Sequence, residues 1–318
     1  MRDFELIELG PGTGRLLTDL LPTVQKLRAS PASLTLFEAS SELRQVQSKA
    51  LATLSNAPKP RWASTLSEAL DNPNEQPVII IAHEFFDALP VHVLHKVPSK
   101  TGTESQWREQ LVDIVEDPNP GEPQFRFVLS RAATPAVALA QSVCTIQPQT
   151  DSKVLEVCAD GMSTARRLAE LIHRRGGAAL IIDYGSDTLR GNTVRALSKH
   201  AITDVLASPG ESDITADVNF GHLRHAVSGV PSMRLWSSIS QREFLLRLGA
   251  AERFRMIARS VVATDESDEE IDNRLLRLQQ DYDRIVGVGE QNMGTVYKVA
   301  VIANEKEGVP FGFANRSG

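Results

Sequence analysis

Three glycines near the start of the chain have the spacing of a ligand-binding turn. Gly10, Gly12 and Gly14 follow the short apolar strand predicted at Leu6–Leu9 and precede a run of leucines at helical spacing. Glycines let the backbone turn sharply and approach a ligand closely, and the helix that follows offers unpaired N–H groups. Because Arg15 follows the last glycine, the G-x-G-x-x-G spacing that binds a dinucleotide is not met. The spacing indicates a cofactor turn without a diphosphate, although it also occurs in turns that bind nothing.

Glu38 favours a cofactor that contains a ribose. It ends the second predicted strand, about one helix and one strand after the glycines, where a carboxylate can accept hydrogen bonds from both ribose hydroxyls. S-adenosylmethionine has this ribose and carries no phosphate, so we predict it as the cofactor. The alternative is a surface glutamate that begins a helix. The predicted cofactor-binding residues are Glu8, Gly10, Gly12, Gly14 and Glu38.

The most distinctive segment is Ala82–His92, which reads Ala-His-Glu-Phe-Phe-Asp-Ala-Leu-Pro-Val-His. It continues the apolar run Val78–Ala82, which is typical of a strand buried on both faces of a parallel sheet. Ligands of open α/β sheets bind beyond the carboxyl ends of the strands, so this strand would deliver His83, Glu84 and Asp87 to the site. A carboxylate there can hold a guanidinium through two hydrogen bonds and aim one nitrogen at a sulfonium methyl group. We predict these three as the catalytic residues.

Other patterns near the predicted site are less specific. The segment Ala82–His92 lacks the Asn/Asp-Pro-Pro-aromatic sequence of enzymes that methylate nucleic-acid amino groups, which counts against adenine or glutamine as the acceptor. The alternative for its acids is a helix N-terminus that they complement electrostatically. Asp183-Tyr184-Gly185 follows a further apolar strand, so the same topological argument applies to it. Asp213–Phe220 resembles a helix start capped by an Asp or a Thr.

These residues can meet only if their strands end at the same edge of a sheet. The order of the predicted elements indicates such a sheet. The first third alternates strands and helices, which is typical of a doubly wound sheet with right-handed crossovers. The middle changes to extended strands separated by turns, predicted at Val91–Val97, Trp107–Val115 and Phe125–Leu129. The α/β pattern then returns. The predicted fold class is α/β, a Rossmann-like methyltransferase sheet with an antiparallel β insertion and additional helices.

We expect a single methyltransferase domain followed by a short flexible tail. Residues 188–220 are polar and irregular, and their length favours a functional loop. Later elements are predicted as a strand near Met233–Trp236, an amphipathic helix at Ile271–Val286 and a last strand at Val296–Ile302. The predicted boundaries are 1–303 for the domain, 1–90 for its cofactor-binding half, 91–160 for the β-rich insertion, 161–303 for the second half and 304–318 for the tail.

Composition excludes several classes of protein. The 318 residues carry a formal charge of −6, which gives no basic surface for nucleic acid. No apolar run approaches the roughly 20 residues that span a bilayer. The seven histidines show no metal-ligand spacing with the acids, so no metal site is predicted. Cys144 and Cys158 lie in or beside apolar stretches, which favours buried thiols in a reducing compartment. The first residues have neither the pattern of a signal peptide nor that of a transit segment.

Several of these segments, taken in order, resemble the MidA-like family of protein-arginine methyltransferases, mitochondrial assembly factors of complex I. The resemblance covers nearly the whole chain. The segments that carry it are Glu8–Gly14, Ala82–His92, Trp107–Glu109, Gly176–Gly185, Thr188–Gly191, Asp213–Phe220 and Gly287–Glu290. Members of the family generally carry a sizeable region before the first strand, so we expect this chain to be an N-terminally short member. The glycine turn also departs from the family, which usually has Arg before the last glycine and Thr after it.

The resemblance implies a particular substrate and location. It implies symmetric dimethylation of an arginine in the 49 kDa-type core subunit of complex I, in the mitochondrial matrix. It implies that Gly10, Gly12 and Gly14 line the cofactor, that Glu38 holds its ribose and that Glu84 meets the acceptor arginine. The alternative is a non-catalytic assembly chaperone that keeps the methyltransferase fold to grip a subunit. A nicotinamide-dependent oxidoreductase is disfavoured by the glycine spacing.

Overall fold

The computed structural model describes residues 3–55, 57–98, 105–116, 124–144, 153–188, 191–198, 201–207, 209–264 and 267–314. The first elements are β1 (Glu5–Leu9), α1 (Arg15–Lys26), β2 (Ser33–Phe37), α2 (Ser41–Leu51), β3 (Pro60–Ala63), α3 (Leu66–Leu70) and β4 (Val78–His83). Next come β5 (His92–Pro98), β6 (Ser105–Ile114), β7 (Phe125–Leu129), α4 (Pro135–Cys144) and β8 (Val154–Val157).

The second half of the chain begins with a long helix and returns to the first sheet. Its first elements are α5 (Ala159–Arg175), β9 (Gly177–Ser186), β10 (Arg195–Ser198), β11 (Ala201–Thr203), β12 (Asp213–Thr215), β13 (Val218–Asn219) and α6 (Phe220–Ser228). The remaining elements are β14 (Met233–Ser240), α7 (Gln241–Arg247), α8 (Ala250–Val262), α9 (Asp268–Val286), α10 (Met293–Val296), β15 (Tyr297–Asn304) and a 3-10 turn at Glu305–Glu307.

A central sheet organises the fold, with the strand order β3-β2-β1-β4-β9-β15-β14 and with β13 paired to β9. The strands β3, β2, β1, β4 and β9 pair in parallel. β15 runs antiparallel to both of its neighbours, β9 and β14. The chain moves outward from β1 to β3 and then returns to add β4 on the other side of β1. This reversal creates the crevice at the carboxyl ends of the strands in which ligands of such sheets bind. The predicted α/β fold class is confirmed.

Apolar side chains cover both faces of the central sheet. On one face Ile7 of β1 belongs to a buried cluster with Leu168 of α5 and Phe220 of α6. On the other face Leu6 of β1 packs in a cluster with Leu17 of α1. All five residues of β1 are buried, as expected for the centre of a parallel sheet. A buried leucine or phenylalanine stabilises the fold by about 1.5–3 kcal/mol, so these two clusters hold the strand ends in place.

The middle of the chain forms a second, antiparallel sheet with the strand order β7-β6-β5-β8. Three of its strands lie where the sequence predicted extended segments, which confirms the β insertion. Leu94 of β5 and Leu155 of β8 pack against Val137 and Ala140 of α4 on one face. The helix α4 was not predicted, because its almost uniformly apolar sequence lacks the alternation of polar and apolar positions that marks an amphipathic helix.

Residues 188–220, predicted as an irregular loop, contain a three-stranded antiparallel sheet in the order β11-β10-β12. Its strands have only three or four residues, so no alternating pattern was long enough to detect. The helix start predicted in Asp213–Phe220 is present at Phe220, but the prediction of an Asp or a Thr as its cap is wrong, since Asp213 and Thr215 belong to β12. The helix α6 instead begins after Asn219, whose side chain accepts a hydrogen bond from His222 N at 3.1 Å. Residues 189 and 190 of the family-like segment Thr188–Gly191 lie outside the described residues.

The described part of the predicted tail contacts the helices. The ring of Phe313 lies 5.7 Å from that of Phe244 in α7, and Arg247 donates a hydrogen bond to the carbonyl oxygen of Phe313 at 3.1 Å. Residues 315–318 of the tail lie outside the described residues. Among the helices that the structure describes, none has both the length and the apolar character needed to cross a bilayer. Within the same residues, no three His, Cys, Asp or Glu side chains group closely enough to hold a metal ion.

Candidate functional site

The carboxyl ends of four neighbouring strands, β2, β1, β4 and β9, lie at the same edge of the sheet as the glycine turn. Leu9 at the end of β1 pairs with Phe37 of β2 on one side and with Ala82 of β4 on the other. His83, the next residue of β4, pairs with Ile182 of β9. The glycine turn, Glu38, the segment after β4 and the end of β9 therefore share one edge of the sheet. The structure thus brings together the segments that the sequence singled out.

The glycine turn has a backbone that side chains would strain. Gly10, Gly12 and Gly14 have φ values of +66°, +53° and +80°, a region that L-residues other than glycine rarely adopt. A Cβ atom on Gly10 would lie 3.2 Å from the ring of Phe85, whereas a Cβ atom on Gly12 would meet no atom within 4 Å. The turn is closed by a hydrogen bond from Gly14 N to the carbonyl oxygen of Pro11 at 2.8 Å. Gly12 therefore exposes its backbone to open space that a ligand can enter.

Glu8 is a buried acid immediately before this turn. Its residue surface is only 3% exposed, and its Oε2 atom has no hydrogen-bond partner among the described residues. Burial disfavours the charged carboxylate and raises the pKa of Glu8 to about 7. Burying an acid without a partner destabilises the fold. The unsatisfied oxygen of Glu8 therefore points to a ligand that is cationic or that donates a hydrogen bond.

Glu38 is fixed by a residue that the sequence analysis missed. Gln47 of α2 is fully buried, and its Nε2 donates hydrogen bonds to Glu38 Oε2 at 3.0 Å and to the carbonyl oxygen of Gly12 at 2.8 Å. Gln47 Oε1 in turn accepts a hydrogen bond from Trp62 Nε1 at 2.9 Å. Gln47 lies four residues before the buried Leu51 on the helix, and that spacing was the available signal of an inward-facing amide.

Glu84 begins the segment after β4 in an unusual conformation. Its φ is +49°, and its backbone N donates to the carbonyl oxygen of Ile182 at 2.9 Å. Non-glycine residues in this region store strain and are concentrated at functional sites. Its Oε1 accepts a hydrogen bond from the hydroxyl of Tyr297 at 2.6 Å, and its side chain is exposed. Burial and this bond to Glu84 raise the pKa of Tyr297. No local pattern identified Tyr297, because it lies 213 residues from Glu84.

Asp87 and Asp183 have different roles at the same edge. Asp183 is fully buried, and its carboxylate accepts hydrogen bonds from the backbone N–H groups of Phe86, Asp87 and Tyr184 at 3.0, 3.3 and 3.0 Å. These hydrogen bonds fix the backbone of the segment that follows β4. Asp87 accepts a short hydrogen bond from the Tyr184 hydroxyl on Oδ2, while its buried Oδ1 has no partner among the described residues. Burial raises the pKa of both carboxyls. His83, the last residue of β4, is half-buried.

The doubly wound sheet and its glycine turn are those of an α/β cofactor-binding protein, and comparison with known proteins gives the family. A family model described as "putative S-adenosyl-L-methionine-dependent methyltransferase" matches residues 1–236, and the chain belongs to this family. The predicted family membership is confirmed. The cofactor of the family is S-adenosyl-L-methionine.

The chain is also similar to curated relatives and to solved structures. It is 37% identical to the mitochondrial protein arginine methyltransferase NDUFAF7 of Danio rerio, over 80% of this chain and 61% of the relative. It is 34% identical to the NDUFAF7 protein of Homo sapiens, over 80% of this chain and 58% of that one. The chain thus spans about three fifths of the length of these relatives. A Burkholderia thailandensis protein bound to S-adenosyl-homocysteine has the same fold, with a TM-score of 0.74, 23% identity, and coverage of 99% of this chain and 76% of that one.

Proposed function

We propose that this protein is an S-adenosylmethionine-dependent protein-arginine N-methyltransferase. The observation that carries the proposal is that two acids with unsatisfied oxygens, Glu8 and Asp87, lie near the carboxyl ends of β1 and β4, which are neighbouring parallel strands of the sheet. One acid lies beside the glycine turn and the other follows β4. The names of the curated relatives, which are protein arginine methyltransferases, support the same acceptor.

The residues at the glycine turn fit S-adenosylmethionine. The cofactor carries an α-ammonium group and a sulfonium, and the free Oε2 of Glu8 is an acceptor for the ammonium. Gly12 leaves open space beside the turn. Glu38 accepts hydrogen bonds from Ser40 N and Gln47, and its carboxylate keeps lone pairs for the ribose hydroxyls. With Gly10 and Gly14, these residues are the proposed cofactor site.

Glu84 and Asp87 are the proposed acceptor residues. Bound S-adenosylmethionine supplies an electrophilic methyl group and leaves as S-adenosylhomocysteine. Carboxylates of Glu84 and Asp87 would hold the acceptor guanidinium and fix the direction of its attacking nitrogen. That nitrogen loses a proton when it gains the methyl group. Asp87 is suited to receive the proton because burial raises its pKa. His83 is the third proposed catalytic residue, on the basis of its place at the end of β4.

The biological substrate that we propose is an arginine in the 49 kDa-type core subunit of complex I, dimethylated symmetrically in the mitochondrial matrix. The curated relatives are named mitochondrial, which supports the compartment. The subunit, the matrix and the symmetry of the mark rest on the resemblance to the MidA-like family. Mass spectrometry of the arginines of this subunit, in cells with and without the protein, tests the proposed target. Fragment ions of the modified peptide distinguish symmetric from asymmetric dimethylation.

The activity is tested by calorimetry with S-adenosylhomocysteine and by transfer of a labelled methyl group to an arginine peptide. Gly12→Val should abolish cofactor binding, because valine is strained at φ +53° and fills the open space. Gly308→Val is the matched control, since Gly308 also has a positive φ and open space around its Cβ position. Glu84→Gln should lower methyl transfer while cofactor affinity is kept. Absence of binding to the wild-type protein would contradict the proposal, and binding without transfer would favour a non-catalytic chaperone.

A further inference from the structure

A cleft opens beside Asp87, between the insertion sheet and the small sheet of β10–β12. Its volume is about 550 Å³, within the range of about 300–1,000 Å³ that is usual for ligand pockets. The segment that follows Asp87, from Ala88 to Val91, forms one end of the cleft. The cleft is therefore continuous with the proposed acceptor site. Side chains that line it include Asp87, Val93, Val112, Phe127, Val194 and Ile214.

One wall of the cleft is an apolar face of the β6–β7 hairpin. Val112 of β6 pairs directly with Phe127 of β7, and both line the cleft. Ile114 and Leu129 lie two residues further along their strands and so share this face, because side chains alternate between the faces of a strand. Solvent-facing positions of an antiparallel sheet are normally polar. These four side chains are instead 40–70% exposed: Val112 57%, Ile114 67%, Phe127 46% and Leu129 44%. A continuous exposed apolar stripe of this kind marks a binding surface.

The opposite wall of the cleft belongs to the small sheet. The buried side chain of Glu156 joins the two walls through hydrogen bonds. Val194 precedes β10, and Ile214 of β12 is 49% exposed in the cleft. Glu156 of β8 accepts hydrogen bonds from Thr193 N at 2.7 Å and Val194 N at 3.3 Å. The walls therefore belong to different sheets that are joined at their base. This connection makes the cleft a pre-formed groove, as binding sites usually are.

Asp87, at one end of the cleft, favours a cationic occupant. Asp87 is only 6% exposed, and its Oδ1 atom has no hydrogen-bond partner among the described residues. The nearby Arg195 does not neutralise it: the Arg195 guanidinium lies 4.7 Å over the Tyr184 ring and donates to Asp217 Oδ1 at 2.9 Å. A carboxyl oxygen without a partner in a residue that lines an apolar groove favours an occupant that brings a charged donor.

We propose that this cleft binds the acceptor polypeptide as an extended segment, with an arginine against Asp87 and with apolar residues beside that arginine packed on the β6–β7 hairpin. The two-residue repeat of apolar side chains along the hairpin matches the two-residue repeat of side chains on one face of an extended peptide. The apolar stripe and the acid together define the occupant, because a small cationic ligand would leave Ile114 and Leu129 uncovered. The proposal rests on the proposed function and names its substrate class.

Binding of short fluorescent peptides, measured by anisotropy with S-adenosylhomocysteine present, tests the proposal without requiring turnover. One peptide has a central arginine between valines and leucines, and its matched control has the same arginine between serines and glutamines. We expect the apolar peptide to bind at least about tenfold more tightly, as removal of a few apolar contacts implies. Val112→Ser and Phe127→Ser should each weaken its binding by about fivefold or more and leave the affinity for S-adenosylhomocysteine unchanged.

Leu111→Ser is the matched control variant. Leu111 is on the same hairpin and is 40% exposed, but it is on the face that points away from the cleft, so peptide binding should not change. Replacing the central arginine by citrulline, which removes the charge, should weaken binding to the wild-type protein. Equal affinity for the two peptides, or an equal loss with Leu111→Ser, would overturn the proposal. If the apolar peptide binds selectively but is not methylated, the cleft is a peptide-binding site and the proposed function is contradicted.

Discussion

At alkaline pH, the cofactor-free Glu8→Gln variant should be more stable to unfolding than the wild-type protein. The same variant should bind the cofactor less tightly. The ordinary pKa of a glutamate is 4.5, and burial raises that of Glu8 to about 7. Between these values the folded protein keeps a proton that the unfolded chain has lost, so stability falls as the pH rises from 4.5 to 7. The loss is complete above pH 7. At 1.36 kcal/mol for each tenfold change, it amounts to about 3 kcal/mol.

Urea denaturation at pH 5 and pH 8 measures this effect on the cofactor-free protein. The wild-type free energy of unfolding should fall by about 2.5 kcal/mol more than that of Glu8→Gln over this interval, because part of the total loss has already occurred at pH 5. Glutamine has no charge to bury, so the variant should lack this part of the pH dependence. Glu307→Gln, at an exposed glutamate, is the control and should behave as wild type.

The same carboxylate should make cofactor binding release protons. If Glu8 accepts the ammonium group of the cofactor, binding stabilises its charged form, and a proton leaves when binding is measured near pH 6.5. Calorimetry of S-adenosylhomocysteine in two buffers of different ionisation enthalpy detects that proton. Glu8→Gln should abolish the release and weaken binding by about tenfold or more, the contribution of a charged hydrogen bond. A variant that is less stable than wild type at pH 8 and binds equally well would refute this reasoning.

Three further substitutions probe two contacts at the site and one ion pair at the opposite edge of the sheet. Gln47→Leu should weaken S-adenosylhomocysteine binding in calorimetry and destabilise the fold by about 1–3 kcal/mol in urea, because three polar groups lose their partner and one of them, the Glu38 carboxylate, is buried. Tyr297→Phe should reduce kcat for methyl transfer and leave cofactor affinity intact, because it removes only the hydrogen bond to Glu84; equal kcat would contradict an orienting role. Arg175→Met should cost about 3–5 kcal/mol of unfolding free energy, since the fully buried Glu5 loses the ion pair at 2.7 Å, and little change would show that Glu5 is satisfied by its other partners.

Local sequence was sufficient for the strands that hold the site. β1, β2 and β4 are apolar runs that end in glycine or acidic residues, and these runs fix both the strand and its terminus. Glu38 directly follows one such run and Glu8 is the last residue but one of another, and the sequence prediction of both as cofactor-binding residues used these positions. Gln47 was missed because glutamine in a helix is usually exposed.

Contacts between distant segments were beyond local patterns. Tyr297 comes to Glu84 only because β15 inserts beside β9 in the sheet. The exposed apolar face of the β6–β7 hairpin depends on which way the hairpin faces, and the alternation of residues leaves that choice open. The separate roles of Asp87 and Asp183 likewise follow from burial and hydrogen bonds that the sequence does not specify.

The position of β15 in the sheet has a consequence for biosynthesis. β14 is made before β15, yet β15 lies between β9 and β14 in the sheet. A growing chain therefore cannot complete this half of the sheet by adding strands at its edge, and β14 must wait for the last strand to enter. Domains fold as units when their distant pairings close, and here the closing strand also delivers Tyr297 to Glu84. The hydrogen bond from Tyr297 to Glu84 in the proposed acceptor site can therefore form only after β15 has been synthesised and has entered the sheet.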